Sequence, residues 1–124
     1  MTVNGWISVD PLTLETSFPD VYAIGDVAAV GTPPAGTFAE GHAAVVAERR
    51  GALIRGTTPS AEYRGRGVCY IELGHDQVAT VDITFFADQR TGELKGPSKE
   101  LVADKVEFGS SRIKRWFDRE WTAT

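Results

Sequence analysis

The chain has 124 residues and a formal net charge of −4, with 42% hydrophobic and 24% charged residues, a composition typical of one folded domain. The net negative charge gives no general reason to expect nucleic acid as a partner. The single cysteine cannot form a disulfide bond within the chain. Without a signal-peptide pattern or an apolar run long enough for a bilayer, the chain is expected to be cytoplasmic.

The first part of the chain is predicted to contain short strands separated by turns. Residues 5–10 alternate apolar and polar side chains up to the turn signal Asp10-Pro11, and residues 12–16 predict a second short strand. Residues 21–24 form a continuous apolar run. Such a run predicts a strand buried on both faces, as in a parallel sheet covered by helices.

A helix is predicted next. The loop from Gly31 to Gly36 consists of small residues and two prolines, and the apolar spacing over residues 37–54 is helical, with Gly56 as the stop signal. The polar stretch 57–61 is the best boundary. We therefore predict two domains, residues 1–56 and residues 57–124.

The second part predicts a β-hairpin followed by a helix. Residues 68–73 and 78–86 have strand composition, and four turn-forming residues join them. A polar loop is expected to follow, and then a helix over residues 110–121, capped by Ser110 or Ser111. The predicted fold class is α+β: a strand–loop–helix piece of an α/β domain, then a small hairpin-plus-helix domain.

The most informative position is Asp26. It follows the apolar run 21–24, so it is predicted to lie at the carboxyl end of a strand, where open α/β sheets bind ligands. Gly25 beside it lacks a Cβ and allows a ligand to approach the backbone. A carboxylate accepts hydrogen bonds and donates none, which suits a chain of hydroxyl groups such as a ribityl.

The helix that begins near Thr37 is predicted to point its N-terminus towards the same place. Its first backbone N–H groups have no partner within the helix, and the helix dipole places positive charge there. A reduced flavin carries negative charge on its pyrimidine edge, and a helix N-terminus directed at that edge stabilises the reduced form.

These residues resemble a known family. The stretches 21–27 (VYAIGDV) and 36–43 (GTFAEGHA) are similar to the second FAD-binding motif of the pyridine nucleotide–disulfide oxidoreductases. Residues 67–74 (GVCYIELG) and the Trp116-Phe117 pair resemble the C-terminal domain of one branch. That branch contains sulfide:quinone oxidoreductases, flavocytochrome c sulfide dehydrogenases and type II NADH dehydrogenases.

The resemblance implies an FAD-dependent oxidoreductase that passes electrons between NAD(P)H, a sulfur compound or a quinone. It implies that Asp26 binds the ribityl chain and that the helix start faces the flavin ring. No acid–base residue is assigned. The implied cofactor-binding residues are Gly25, Asp26, Val27, Gly36, Thr37 and Phe38.

The sequence also departs from the branch. Sulfide:quinone enzymes have a redox cysteine at the position of Val27, and often a lysine where Pro34-Ala35 precede the helix. The Gly-x-Gly-x-x-Gly turn that binds the FAD pyrophosphate is absent from the sequence. The chain is therefore expected to be the C-terminal part of a longer flavoprotein, inactive alone, with the remainder of that protein as its partner.

Two alternatives stay open. The chain could be a non-catalytic interaction module that forms a homodimer through exposed sheet edges, or its parent could be a type II NADH dehydrogenase-like enzyme. The tail combines aromatic and basic residues, which allows peripheral contact with a membrane. The simpler interpretation packs these aromatic residues on the hairpin.

The remaining reactive side chains are expected to be structural. His42 is predicted to be a surface or lightly buried residue, and Cys69 to be a small core residue within its strand. His75 is expected to be exposed in the hairpin turn. No His or Cys pair has metal-ligand spacing, so no metal is predicted.

Overall fold

The computed structural model describes residues 2–86 and 90–121, and within them the chain has an α+β fold, as predicted. A small hairpin comes first, then a 3-10 turn, a long helix, a three-stranded antiparallel sheet and a second helix. The elements are β1 (Thr2–Val3), β2 (Trp6–Ile7), the 3-10 turn (Gly25–Val27), α1 (Gly36–Ile54), β3 (Arg66–Gly74), β4 (Gln77–Thr84), β5 (Thr91–Ser98) and α2 (Glu100–Phe117).

The chain divides into two compact units. Unit 1 comprises Met1–Gly67 together with Ile83–Thr91, and unit 2 comprises Val68–Asp82 together with Gly92–Thr124. The division between units therefore falls after Gly67 in this part of the chain. The domain limits predicted from the sequence, 1–56 and 57–124, stay a prediction.

The segment between β2 and the 3-10 turn is built on a turn capped by Asp10. The Asp10 carboxylate accepts hydrogen bonds from the backbone N–H groups of Leu12 (2.9 Å) and Thr13 (2.8 Å). The bond from Thr13 is the main reason why the pKa of Asp10 lies below its ordinary value. This turn delivers Leu14 to the core, where its side chain is 0% exposed although its backbone is left-handed, with φ of 64°.

The sequence predicted a strand buried on both faces over residues 21–24, and this prediction is wrong. The structure has only an isolated antiparallel bridge between Glu15 and Tyr22. Val21 is 46% exposed and Ile24 is 40% exposed, whereas Ala23 is buried. A central strand needs a hydrogen-bonded neighbour on each side, and the described residues supply only this bridge. The strands predicted at 5–10 and 12–16 likewise reduce to β2 and that bridge.

Helix α1 forms where the apolar spacing predicted it, and its end has a clear cause. The backbone N–H of Thr57 donates to the carbonyl of Ala52 (2.9 Å), and the N–H of Gly56 donates to Leu53 (3.0 Å). Gly56 has a φ of 71°. These two bonds are the Schellman motif that terminates helices at a left-handed glycine. The prediction that Gly56 stops the helix is confirmed.

The core of unit 1 lies under α1. Its buried residues are Leu14, Val30, Phe38 and Tyr63, and the aromatic rings of Phe85 and Phe86 pack against them. Phe38 meets Phe85 edge to face at 5.7 Å between ring centroids, a favoured arrangement of aromatic pairs.

Two arginines in the C-terminal part of α1 bind the segments before and after the helix. Arg49 donates to Glu15 (3.1 Å) and to the carbonyl of Ala61 (3.1 Å), and its side chain is only 12% exposed. Arg50 donates to Asp20 (3.1 Å) at a more exposed position. The acidic first part of the sequence is therefore neutralised in part by these two residues of α1.

The predicted hairpin is confirmed. Strands β3 and β4 are joined by the two-residue turn His75-Asp76, in which both residues have positive φ, 52° and 56°. Positive φ at both positions defines the type I′ turn that matches the twist of paired strands. His75 is exposed, as expected.

Residues 91–98 are a strand, β5, and the predicted polar loop is wrong there. Strand β5 pairs with β4 at the edge of the sheet. Its sequence, TGELKGPS, lacks the β-branched pattern of a strand and contains a proline. Glycine, proline and lysine are tolerated at sheet edges, and pairing with β4 overrides the local preference.

Helix α2 begins at Glu100, ten positions ahead of the predicted start, and ends at Phe117. Ser110 and Ser111 therefore lie inside the helix, where their hydroxyls donate to the carbonyls of Glu107 and Phe108. Trp121 lies beyond the helix end. The capping role predicted for the two serines is wrong.

The expected packing of the tail aromatics on the hairpin is also wrong for Trp116 and Phe117, which are 56% and 63% exposed. The aromatic contact between α2 and the hairpin is made by Phe108, whose ring lies 5.0 Å from that of Tyr70. Cys69 neighbours Tyr70 but is exposed. Alternate residues of β3 face opposite sides of the sheet, so the predicted core position of Cys69 is wrong.

In the described residues, no helix has the length and apolar character needed to cross a membrane.

Candidate functional site

The candidate site is a pocket of about 230 Å³ in unit 1, between the 3-10 turn and the start of α1. It opens beside the carboxylate of Asp26 and is walled by the ring of Phe38 and by the loop that precedes α1. Drug-sized ligands occupy pockets of roughly 300–1,000 Å³, so this pocket suits part of a larger ligand. Its lining residues are Trp6, Gly25, Asp26, Ala28, Ala29, Gly31, Thr32, Pro33, Pro34, Phe38, Ala39 and His42.

The turn that carries Asp26 is held directly against α1. Gly25 has a φ of 75°, and a Cβ built on it would lie 3.7 Å from the Cβ of Ala39. Left-handed backbone is favourable for glycine, which has no Cβ to collide. Gly25 thus brings Asp26 to the first two turns of the helix.

The side chain of His42 holds the Gly25–Val27 turn against α1. The backbone N–H of Gly25 donates to Nδ1 of His42 at 3.0 Å. A ring nitrogen that accepts a hydrogen bond carries no proton, so His42 is neutral with its proton on Nε2. The His42 side chain is 2% exposed, and burial is the main cause that lowers its pKa, opposed by the charge of Asp26.

Tyr63 supports His42 from the other side. The two rings meet edge to face, with centroids 4.4 Å apart and an interplanar angle of 78°. Burial raises the pKa of Tyr63, opposed by the nearby hydroxyl of Thr32. Nε2 of His42 is buried and has no hydrogen-bond partner among the described residues. The imidazole is thus enclosed in an apolar setting that favours its neutral form.

The N-terminus of α1 carries no side-chain cap among the described residues. Its N-cap residue is Ala35, which has no side-chain acceptor, and Phe38 and Ala39 donate their backbone N–H groups to the Ala35 carbonyl. A Cβ built on Gly36 would meet nothing within 4 Å. Helix starts usually have a Ser, Thr, Asp or Asn cap, and Ala35 does not supply this side-chain acceptor.

Three of the six predicted cofactor-binding residues line this pocket: Gly25, Asp26 and Phe38. Gly36 and Thr37 begin α1 next to the pocket loop but are not part of the described lining. Val27 is 54% exposed and lines a separate open hollow with Trp6 and the hairpin before it. The structure therefore brings Asp26 together with the helix start and turns Val27 away from them.

Among the lining residues that were not predicted as site residues, His42 is the most informative. It was predicted at the surface or lightly buried, and it is among the most buried polar residues of the described chain. Its spacing from Phe38 is four residues, which places both on one face of a helix. That spacing was the available signal. Trp6 and Thr32 have no comparable signal, because loop geometry brings them to the pocket.

No group of three or more His, Cys, Asp or Glu side chains in the described ranges is arranged to hold a metal ion. In comparisons with known proteins, no protein-family model matches this chain, and no curated protein matches it significantly.

Proposed function

We propose that this chain is the C-terminal part of an FAD-dependent oxidoreductase of the pyridine nucleotide–disulfide type, and that its pocket holds the flavin half of FAD. The observation that supports this most directly is the packing of the Gly25–Val27 turn against the start of α1, with Asp26 and Phe38 on one pocket. The same two elements carry the sequence resemblance.

In this proposal Asp26 binds the ribityl chain. Its carboxylate is exposed at the mouth of the pocket and can accept hydrogen bonds from hydroxyl groups. Gly25 allows a ligand to come close to the backbone of the turn. The charged carboxylate makes these bonds stronger than a neutral acceptor would.

The start of α1 provides the electrostatic part. Ala35 leaves the helix end without a side-chain cap, and the helix dipole concentrates partial positive charge there. A ligand with negative charge or carbonyl oxygens is favoured at such an end. FAD, when bound, supplies the electron transfer; the residues of this chain orient the ring and stabilise charge on it.

The residues present fit only one half of FAD. The pocket of about 230 Å³ is too small for the dinucleotide, and the sequence contains no Gly-x-Gly-x-x-Gly turn for the pyrophosphate. The remainder of the parent flavoprotein supplies that turn and the contacts to NAD(P)H, a quinone or a sulfur compound. Val27 and Pro34-Ala35 lack the thiol and amine typical of sulfide:quinone enzymes, which favours an NADH–quinone parent over sulfide oxidation.

The test is flavin retention by the extended protein. The coding sequence is extended upstream until it includes a Gly-x-Gly-x-x-Gly turn, and the purified product is examined for bound flavin by absorbance after gel filtration. Asp26→Ala should weaken FAD binding by roughly 10–100-fold, the effect of removing a charged hydrogen-bond acceptor. Asp104→Ala, at an exposed position of α2, is the matched control. Without an upstream turn of this kind, or with equal flavin content in both variants, the proposal fails.

A second candidate function is an interaction module, and the exposed edge of the sheet favours it. Every residue of β5 up to Pro97 is exposed, including Leu94 at 69%. An unpaired edge can add a strand from another copy of the chain. Sedimentation across a concentration series tests this: a dimer that Leu94→Lys abolishes supports the module, and a monomer throughout rejects it.

Peripheral membrane contact stays part of the proposal because the end of α2 exposes Trp116 and Phe117. Exposed aromatic residues on a helix with basic neighbours can insert at a lipid interface. Co-sedimentation with anionic vesicles is the corresponding measurement. Loss of binding in a Trp116→Ala variant would support the contact, and absence of binding by the unmodified chain would remove it.

A further inference from the structure

His42 is a buried side chain whose single described hydrogen bond joins two elements. Its Nδ1 accepts the backbone N–H of Gly25 at 3.0 Å, which links α1 to the 3-10 turn across 17 positions of sequence. The described residues give Nε2 no partner, and the ring is 2% exposed. The described hydrogen bond of the imidazole therefore connects the 3-10 turn to α1.

That bond exists in only one protonation state. When both ring nitrogens carry protons, Nδ1 becomes a donor, and it then faces another donor, the N–H of Gly25. The charged ring would also have to remain in an enclosed setting, where its Nε2 has no hydrogen-bond partner among the described residues, and burial of such an ion is costly. Protonation therefore removes the bond and favours exposure of the ring.

The groups around His42 set how strongly protonation is resisted. Asp26 on the 3-10 turn attracts the charged form, and Tyr63, from the segment after α1, packs on the ring at 4.4 Å. Asp26 is exposed, so solvent and salt screen its charge, and the Tyr63 pKa is raised, which keeps this ring neutral. Burial thus outweighs Asp26, in agreement with the lowered pKa of His42.

We propose that His42 is a pH-sensitive latch: in its neutral form it holds the Gly25–Val27 turn against α1, and its protonation releases the turn and Asp26 with it. The latch is a property of the chain itself and does not depend on a flavin. Any ligand that needs Asp26 next to the helix start would bind in the neutral state and lose that arrangement in mild acid.

Nuclear magnetic resonance of the whole 15N-labelled chain, without ligand, tests the latch. The sequence has two histidines, and His75 lies in an exposed turn, so His75→Gln is the matched control for His42→Gln. The ring nitrogens of His42 should show an unprotonated Nδ1 and a protonated Nε2 at neutral pH. The Gly25 amide should exchange slowly with solvent.

The pH series gives the decisive result. As the pH falls below 6.5, the ordinary pKa of histidine, towards the lowered pKa of His42, protection of the Gly25 amide should fall about tenfold, the loss expected for one hydrogen bond. Its midpoint should coincide with the titration of the His42 ring. The Thr57 amide, bonded to the Ala52 carbonyl at 2.9 Å and remote from the His42 ring, serves as an internal reference. His75→Gln should behave as the unmodified chain does.

Two outcomes would overturn the proposal. One is a proton on Nδ1 of His42 at neutral pH. The other is a Gly25 protection that does not change with pH in the unmodified chain, or that changes in the same way in His42→Gln. If His42→Gln fails to fold, the unmodified chain decides the question. The pH midpoint of the loss of Gly25 amide protection is then compared with the midpoint of the His42 ring titration. A purely structural histidine would leave Gly25 protection independent of the ring titration. Flavin retention in the extended protein is measured separately, so failure of the latch and failure of the proposed function are distinguishable.

Discussion

The two helices of this chain show that amphipathic sequence and burial are separate properties. Helix α1 separates apolar from polar faces only weakly, yet it buries Phe38, His42 and Ala52. Helix α2 separates its faces strongly, yet none of its residues, all within the described range, is buried. The difference lies in what surrounds them. The loops before and after α1 lie across it and are bound by Arg49, whereas the end of α2 exposes its aromatic residues.

The largest expected effect comes from the same substitution in both helices. Phe38→Ala removes a ring that is 4% exposed and packed on Phe85, and should lower the free energy of unfolding by roughly 3–5 kcal/mol. Phe117→Ala removes a ring that is 63% exposed and should change it by less than about 0.5 kcal/mol. Urea denaturation measures both. Equal losses would mean that α2 is packed as α1 is.

Removal of a largely buried charge, that of Arg49, comes next. Arg49→Met removes one donor from Glu15, which keeps the Tyr22 hydroxyl, and one from the carbonyl of Ala61, and should cost about 1–3 kcal/mol. Lys114→Met on α2 breaks exposed pairs with Asp118 and Glu120 and should leave the urea midpoint unchanged within error. A larger shift for Lys114 than for Arg49 would contradict the contrast between the helices.

Two helical glycines should respond with opposite signs. A Cβ at Gly41 of α1 would lie 2.9 Å from the ring of Tyr63, so Gly41→Ala should destabilise the chain by about 1–3 kcal/mol. At Gly109 of α2 the nearest atom is 3.4 Å away, on Trp121. Gly109→Ala should therefore stabilise the helix by about 0.5–1 kcal/mol. Thermal unfolding followed by circular dichroism gives both signs, and stabilisation by Gly41→Ala would disprove close packing over α1.

The smallest effect is an alkaline loss of stability that originates in unit 1. Burial raises the pKa of Tyr63 above its ordinary value of 10.0. The unfolded chain therefore ionises this residue first, so its contribution is complete below pH 10.0 and is lost as pH rises from there towards the folded-state pKa. Tyr63→Phe should reduce the slope of stability against pH in this range. Tyr70→Phe, at a half-buried position of β3, is the control that should preserve it.

Local signals predicted the parts of the fold that they cover. The apolar spacing of α1, its terminal Gly56 and the His75-Asp76 turn are local features, and the structure has all three. Strand β5 was missed because its pairing with β4 outweighs the weak strand preference of its own residues. The start of α2 was missed because the helix continues ahead of Ser110, back to Glu100. Extended structure at residues 21–24 was expected to be central in a sheet, and the sequence cannot reveal which neighbours it will have.

The sequence indicated three residues of the candidate pocket, but not the hydrogen bond that holds its turn against α1. Gly25 and Asp26 were indicated by the pattern of a strand end and Phe38 by the family resemblance, and all three line one pocket. The bond from Gly25 to His42 spans 17 positions and depends on the ring's tautomer. The spacing of His42 from Phe38 places both on one face of the helix. It does not reveal which ring nitrogen of His42 accepts a hydrogen bond, or from which backbone N–H.

Leu14 combines a left-handed backbone, with φ of 64°, and a side chain that is 0% exposed. Glycine would suit the backbone but would leave a hole in the core, and isoleucine or valine would fill the core but are poorly compatible with positive φ. Few residue types can therefore replace Leu14 without a loss of stability. A library of substitutions at this site should tolerate fewer residue types than one at any ordinary buried leucine.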